Sequence, residues 1–373
     1  MAEFSRTILV AAGGTGGHIF PGVAVADELR RRDGATRVVF VGTPKGLESK
    51  IVPRAGYELE LLPILPLNAV GAARAVKGLL ALPWGLLKAA LTVRRHRPQA
   101  VLGVGGYAGG PVVLAAALMG VRTVILEPNA RPGFTNRMLR PFVRHAACSY
   151  VEAQREFGKK GVLTGNPVRG GFAALPPRAP ALPRALLVFG GSQGSRVLNR
   201  AMVDALGALP AADRLRIVHQ TGEAMRDEVA AAYAAQGRAA EVVPFLHDME
   251  QRLAAADLVL CRAGATTCAE LAVAGKASVL VPFAAAADDH QRKNAAAMQS
   301  AGAARMVEEK DLTGASLAAA VTAVLEDPQR LAAMEDAAKS LARPDAAARV
   351  ADLLEGREAT ENHRGTETQR ERQ

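Results

Sequence analysis

Short apolar runs alternate with longer amphipathic stretches along most of the chain. In the first half the runs are "TILVAA", "TRVVFVG", "AVLGVGG" and "RTVILEPN". In the second they are "ALLVFGG", "LRIVHQTG", "DLVLCRAG" and "ASVLVPF". Near-continuous apolar character suits strands buried on both faces of a parallel sheet. "PVVLAAALMG", "GEAMRDEVAAAYAAQG" and "SLAAAVTAVLEDP" read as helices. Strand and helix in alternation predict a doubly wound α/β architecture.

One unit occurs twice. "TILVAAGGTGGHIFPGVAVADEL" begins at Thr7 and "ALLVFGGSQGSRVLNRAMVDAL" at Ala185. Each is a strand-like run, a glycine pair, Thr or Ser, another glycine and a helical pattern. Glycines at such a turn let the helix start close to the strand and turn backbone N–H groups toward a ligand. With 373 residues, the expectation is two Rossmann-like domains, 1–168 and 169–355, facing a central cleft. The last helix of the second is expected to pack back on the first. The proline-rich "LPPRAPALPR", 175–184, marks the hinge region, and the polar 356–373 reads as a disordered tail.

The formal charge of +10 points to an anionic partner: a phosphorylated substrate, acidic lipid or nucleic acid. Aromatics are only 4% and do not interleave with basic residues, which argues against nucleic acid. Cys148, Cys261 and Cys268 form no CxxC and no zinc spacing. The stretch 98–121 is uncharged and long enough to span a bilayer. Gly105-Gly106 and Gly109-Gly110-Pro111 interrupt it, so it reads as strand, loop and helix. The start "MAEFSRTILVAAGG" reaches glycine too early for a signal peptide.

The candidate chemistry sits in the loops. In "GGTGGH", Thr15, Gly16 and Gly17 open a helix that can present N–H groups to an oxygen-rich ligand. Ile19 breaks the dinucleotide fingerprint there, whereas "GVGGYA", 103–108, fits G-x-G-x-x-A. In "GGSQGS", Ser192 can give its hydroxyl to a phosphate or cap the next helix. In "CRAGATTCAEL" a helix is expected to start near Thr266 or Thr267. Thr267 and Glu270 have capping-box spacing; the other reading has Glu270 bonding two sugar hydroxyls. Asp288, Asp289 and His290 lack the distant partners of a metal site, and no metal is expected. Gln291 suits a neutral sugar contact or a solvated helix face. Leu79, Leu80 and Trp84, flanked by Lys77 and Lys88, read either as a buried helix pair broken at Pro83 or as a patch on an anionic membrane surface.

Together, "GGTGGH" with Pro21, "GGY" from Gly105, "EPNARPGFTNR" from Glu127, "TGNPVR" from Thr164, "GGSQGS", "CRAGATTCAE" and "DDHQ" form an ordered set. It resembles the MurG family of bacterial N-acetylglucosaminyltransferases from about Thr7 to Leu354. The resemblance implies a GT-B fold and inverting transfer of GlcNAc from UDP-GlcNAc to undecaprenyl-diphospho-MurNAc-pentapeptide (lipid I). The product would be lipid II for peptidoglycan, made without metal or other cofactor. It implies peripheral attachment to the cytoplasmic face of the plasma (inner) membrane and partners among cell-wall synthesis and division proteins. Implied donor contacts fall on Thr15, Gly16, Gly17, Asn129, Arg169 and Ser192. They continue at Leu246 near the uracil, at Ala265, Thr266, Thr267, Cys268, Ala269 and Glu270 at the diphosphate and ribose, and at Gln291 on the GlcNAc hydroxyls. His18 is the candidate base or acceptor contact. Pro128, Ala263 and Ala269 depart from the family's Gln, Ser and Ser, which removes side-chain donors and leaves the backbone N–H groups. The alternatives are a related GT-B transferase with another nucleotide sugar or lipid acceptor, a basic nucleotide- or nucleic-acid-binding protein, and a nicotinamide oxidoreductase.

Overall fold

The structure is a computed structural model. It describes residues 4–357 except 15, 45, 64–71, 107–108, 177–181 and 287–288, with backbone alone for 72–82. The first half runs β1 (Arg6–Ala12), α1 (Gly16–Arg32), β2 (Thr36–Gly42), α2 (Glu48–Arg54), β3 (Glu58–Leu61), α3 (Ala72–His96), β4 (Ala100–Gly105), α4 (Gly109–Leu118), β5 (Arg122–Glu127), α5 (Phe134–Leu139), β6 (His145–Cys148), α6 (Val151–Phe157) and β7 (Gly161–Leu163). The second runs α7 (Gly170–Ala173), β8 (Arg184–Phe189), α8 (Arg196–Ala205), β9 (Leu215–Gln220), α9 (Arg226–Ala235), β10 (Ala240–Val243), α10 (Met249–Ala255), β11 (Leu258–Cys261), α11 (Ala265–Val273), β12 (Ser278–Leu280), α12 (His290–Ser300), β13 (Ala304–Met306), α13 (Gly314–Leu325), α14 (Pro328–Ser340) and α15 (Ala346–Glu355).

The strands form two sheets, a seven-stranded one ordered β3-β2-β1-β4-β5-β6-β7 and a six-stranded one ordered β10-β9-β8-β11-β12-β13. Neighbours such as β1 and β2, β1 and β4, β8 and β9, and β8 and β11 run parallel. Both sheets are doubly wound, as the alternating pattern predicts. Ile8, Val10 and Ala12 face Ile19 and Val23 of α1, while Leu9 and Ala11 face Val93 of α3 and Val112 of α4. Leu186 and Val188 face α8 and α13, and Leu187 and Phe189 face α10 and α11. Burial on both faces is why these strands carry no polar alternation.

The apolar runs account for the central strands. The short β3, β6, β7, β10 and β13, of three or four residues, are too brief to show a period, and several of their positions are part-exposed. The helix pair expected to break at Pro83 is instead the single helix α3, with Pro83 inside it. A proline removes one backbone hydrogen bond, and the turns on either side carry the helix through.

The last helix, α15, lies against the first sheet, where Val350, Ala351, Leu353 and Leu354 join the α1 core. Charge reinforces the contact. Arg32 Nη1 lies 2.7 Å from both Asp352 Oδ1 and Glu355 Oε2, and Arg6 also pairs with Glu355. The Glu355 side chain is 1% exposed. Burial alone would raise its pKa, but hydrogen bonds from Arg32 and Arg6 outweigh that and hold it below the ordinary carboxylate value. The charged carboxylate therefore stabilises the fold above the ordinary carboxylate pKa, and this stabilisation is lost as pH falls through the lower, folded value. Glu355→Gln should lower the unfolding free energy at pH 7 by roughly 2–4 kcal/mol, because the part-buried guanidinium groups of Arg6 and Arg32, and the exposed one of Arg357, then face a neutral amide. Denaturant unfolding should show the deficit shrinking below about pH 4; equal stability of variant and parent at pH 7 would refute the clamp.

Candidate active site

In each sheet the strand order reverses beside the first strand, between β1 and β4 and between β8 and β11. Loops leaving the carboxyl ends on the two sides diverge there and open a crevice. The glycine motifs occupy these points. Gly14, at φ +95°, turns β1 into α1. Thr15 lies outside the described residues, as does Tyr107 of "GGY". Glu48, which no motif singles out, supports this turn from behind. Its buried carboxylate accepts from Thr43 N at 2.7 Å, Thr43 Oγ1 at 2.9 Å and Gly14 N at 3.0 Å.

The loop after β4 packs against the first loop. A Cβ on Gly105 would fall 2.8 Å from His18 Cδ2, and one on Gly106 would fall 2.0 Å from the Gly13 carbonyl oxygen. These glycines of "GVGGYA" thus admit the His18 ring and the neighbouring backbone, a use the dinucleotide fingerprint does not describe. Burial pushes the His18 pKa below the ordinary imidazole value. The hydrogen bond to the Gly13 backbone works the other way, His290 adds to the lowering, and Glu48 opposes it. The imidazole is neutral at neutral pH. With one ring nitrogen donating to Gly13, the other keeps a lone pair.

The second glycine loop is built alike, with Gly191 also at φ +95°. Ser192 does not cap α8; Ser195 does, accepting from Leu198 N at 3.4 Å. Ser192 is exposed on the loop. The loop is fastened by Arg262 at the end of β11, another residue outside the motif reading. Its guanidinium donates to Ser195 Oγ at 2.8 and 3.1 Å, to the Val281 and Pro282 carbonyls at 3.2 Å, and to Glu309 at 2.6 Å.

The helix after Gly264 starts earlier than its sequence suggests. Gly264 is the N-cap of α11, and no side chain caps it. Thr267 and Glu270 are therefore inside the helix and form no capping box. Thr266, in the first turn, donates its hydroxyl to the Gly17 carbonyl at 2.8 Å and accepts from Asn166 Nδ2 at 3.3 Å. This joins the two halves across the cleft and engages the Thr266 hydroxyl. Ala265, Thr267 and Ala269 are part-exposed. Cys268 is buried, and burial pushes its thiol up to about 12.

The Glu270 carboxylate accepts no hydrogen bond from a described residue. Burial pushes its pKa up to about 7; Arg169 pulls it down and Glu250 pushes it up. Arg169 stands between Phe20 of α1 and Phe172 of α7, at 4.5 and 5.0 Å from the ring centroids, with Nη1 3.4 Å from Glu250. Its Nε is buried without a hydrogen-bond partner among the described residues. Gly16, Gly17, Arg169, Thr266 and Glu270 are thus brought to one place.

The other candidates lie at strand ends around it. The Asn129 amide is held by buried Glu127, whose carboxylate also accepts from Gly133 N and Asn136. Leu246 is 6% exposed and its side chain belongs to the core of the second sheet rather than to a ligand surface. The Gln291 carbonyl accepts from Phe283 N at 3.0 Å, which leaves its amide donors for a ligand. Asp288 is outside the described residues. On α3, Trp84 is 57% exposed with Lys88 Nζ 4.7 Å from the ring, and Leu87 and Leu91 are exposed beside it. Phe134, Met138 and Phe142 are also exposed, on and just beyond α5. The side chains of Lys77, Leu79 and Leu80 lie outside the described residues. Among the described residues no helix is long and apolar enough to cross a membrane.

Residues 8–148 match the glycosyltransferase family 28 N-terminal domain and 185–350 its C-terminal domain. A protein of Syntrophus aciditrophicus is 47% identical over 92% of this chain and 97% of its own length. One of Myxococcus xanthus is 47% identical over 93% and 91%. Each is named a UDP-N-acetylglucosamine–N-acetylmuramyl-(pentapeptide) pyrophosphoryl-undecaprenol N-acetylglucosamine transferase. The crystal structure of Acinetobacter baumannii MurG superposes with a TM-score of 0.76 at 31% identity, over 94% of this chain and 99% of that one. With matches over nearly its whole length and the same two-sheet architecture, the chain belongs to glycosyltransferase family 28, among the MurG transferases.

Proposed function

We propose that the protein transfers GlcNAc from UDP-GlcNAc to undecaprenyl-diphospho-MurNAc-pentapeptide, giving lipid II. The observation that carries this reading is the Thr266–Gly17 hydrogen bond. It sets the start of α11, with Glu270 and Arg169 nearby, against the first glycine loop and its histidine. One cleft then has a phosphate-binding side, a cation and a neutral base. Incubation with UDP-GlcNAc and a short-chain lipid I analogue should release UDP and form the disaccharide. Titration with a panel of UDP- and TDP-sugars should favour UDP-GlcNAc. Preference for another nucleotide sugar would redirect the reading to a related transferase.

The reaction displaces UDP from the anomeric carbon by a sugar hydroxyl. Negative charge grows on the departing diphosphate while the attacking hydroxyl loses its proton. The N-termini of α8 and α11 carry partial positive charge toward the first change, and Arg169 adds a full charge beside them. His18 serves the second: a neutral imidazole can accept the proton or hold the acceptor. Glu270, beside Arg169, is placed to accept hydrogen bonds from the ribose hydroxyls. Such bonds favour its ionised form, so donor binding and Glu270 ionisation are coupled. Gln291 and Ser192 offer donors to the sugar and phosphate.

At the membrane, exposed Trp84, Leu87 and Leu91 with Lys88 suit an interfacial contact. Apolar side chains enter the headgroup region and cations meet anionic lipid. The enzyme is proposed to dock in this way on the cytoplasmic face, where its lipid-linked acceptor lies.

Three measurements check these assignments. His18→Ala should lower turnover by about 10²-fold or more, and unchanged turnover would remove His18 from the chemistry. The donor KM should rise as pH falls through about 7, the Glu270 value, because the protonated carboxyl is a poorer acceptor. Glu270→Gln should raise KM at pH 8 and flatten this dependence; the same pH slope in the variant would assign it elsewhere. Replacing Trp84 and Leu87 with Ser should weaken sedimentation with anionic liposomes while turnover of a soluble acceptor holds. Undiminished liposome binding would move the membrane contact to another face.

A further inference from the structure

Beneath the second glycine loop lies a row of buried polar groups that no motif singles out. The Tyr233 hydroxyl on α9 is 3.1 Å from His219 Nδ1, and His219 Nε2 is 3.2 Å from Asn199 Oδ1 on α8. Asn199 Nδ2 donates to the Thr221 carbonyl at 2.9 Å and to the Met225 sulfur at 3.4 Å. His219 and Asn199 are 0% exposed, and Thr221 and Tyr233 are 2%.

The direction of every bond follows from the chemistry. A carbonyl only accepts, so Asn199 turns its NH2 to Thr221 and its oxygen to His219. That oxygen needs a donor, so His219 carries its proton on Nε2. Nδ1 then has a lone pair, which accepts from the Tyr233 hydroxyl. One neutral tautomer satisfies the whole row. Burial pushes the His219 pKa down to about 3, so the row does not change with pH in the working range.

The row ends at a close backbone contact. A Cβ on Gly194 would fall 2.0 Å from the Thr221 carbonyl oxygen, and one on Gly222 would fall 2.3 Å from the Gln193 carbonyl oxygen. Thr221–Gly222 is therefore the floor on which the Gly190–Ser195 loop rests. We propose that His219 is a positioning residue for donor binding. Its Nε2–H orients Asn199, Asn199 holds the Thr221 carbonyl, and the carbonyl sets the height of the glycine loop under the donor's diphosphate. This rests on the reading that the loop receives UDP-GlcNAc.

Calorimetric titration of the full-length protein with UDP-GlcNAc, paired with steady-state kinetics, tests it. His219→Leu leaves Asn199 Oδ1 buried without a donor and should weaken UDP-GlcNAc binding about tenfold. The donor KM should rise in step, with kcat at saturating donor and the acceptor KM within about twofold of the parent. His219→Gln, which can still donate from the distal position, should recover most of the affinity. Tyr233→Phe, which leaves the ring unpinned, should cost about threefold. Leu331→Ala is in the same core but on α14, which packs against α11 and α13; it should lower the melting temperature and leave affinity unchanged. Parent-like affinity in His219→Leu would overturn the proposal, and so would an equal loss in Leu331→Ala. If His219→Leu does not fold, Tyr233→Phe decides, and parent-like affinity there overturns it. A parent that binds no UDP-GlcNAc would instead overturn the reading of the site on which the proposal rests.

Discussion

Two parallel sheets make one active site only when their switch points are held face to face, and the Thr266 hydroxyl is the bond that does this at the cleft. It sits in the first turn of α11, donates to Gly17 at the first turn of α1, and accepts from Asn166 on the segment between the halves. A hydroxyl can both donate and accept, so one small side chain ties three pieces of chain. The Arg169–Phe20 stack lies beside it, and α15, clamped by Arg6 and Arg32, holds the far side. With it, the start of α11 and the first glycine loop are held together at one cleft.

The cleft divides its work by electrostatics. Its cation, Arg169, is stacked on aromatic rings, which restricts where its charge can go. Its acid, Glu270, is desolvated and pushed up to about 7. Its histidine is kept neutral by burial. These shifts have one main cause, removal from water, and perturbed groups gathered in a cleft are a mark of a functional site. The supporting groups are different: Glu48, Glu127 and Arg262 are spent on backbone and side-chain partners and serve to hold loops still.

The motifs made the central strands and glycine turns legible, because buried parallel strands need unbroken apolar runs and tight turns need glycine. Less legible was how each polar side chain is used. Ser192 and Ser195 are both serines before a helix, yet only Ser195 caps it. Thr267 and Glu270 have capping spacing, yet the helix begins at Gly264. The family resemblance places Leu246 near the uracil, yet its side chain is core. In each case the outcome depends on a helix start or a packing neighbour that local spacing does not encode.

By itself the sequence determined the doubly wound architecture, the two glycine loops and the family, since all three depend on order and spacing along the chain. Tertiary structure alone decided that Gly105 makes room for His18, that Thr266 reaches Gly17, and that Glu48 and Arg262 anchor the loops. Those pairs are far apart in sequence, and their contacts are set by strand order and helix packing. The opening "GGTGGH" therefore reads as a helix start in sequence and becomes, in the fold, the place where the two halves touch.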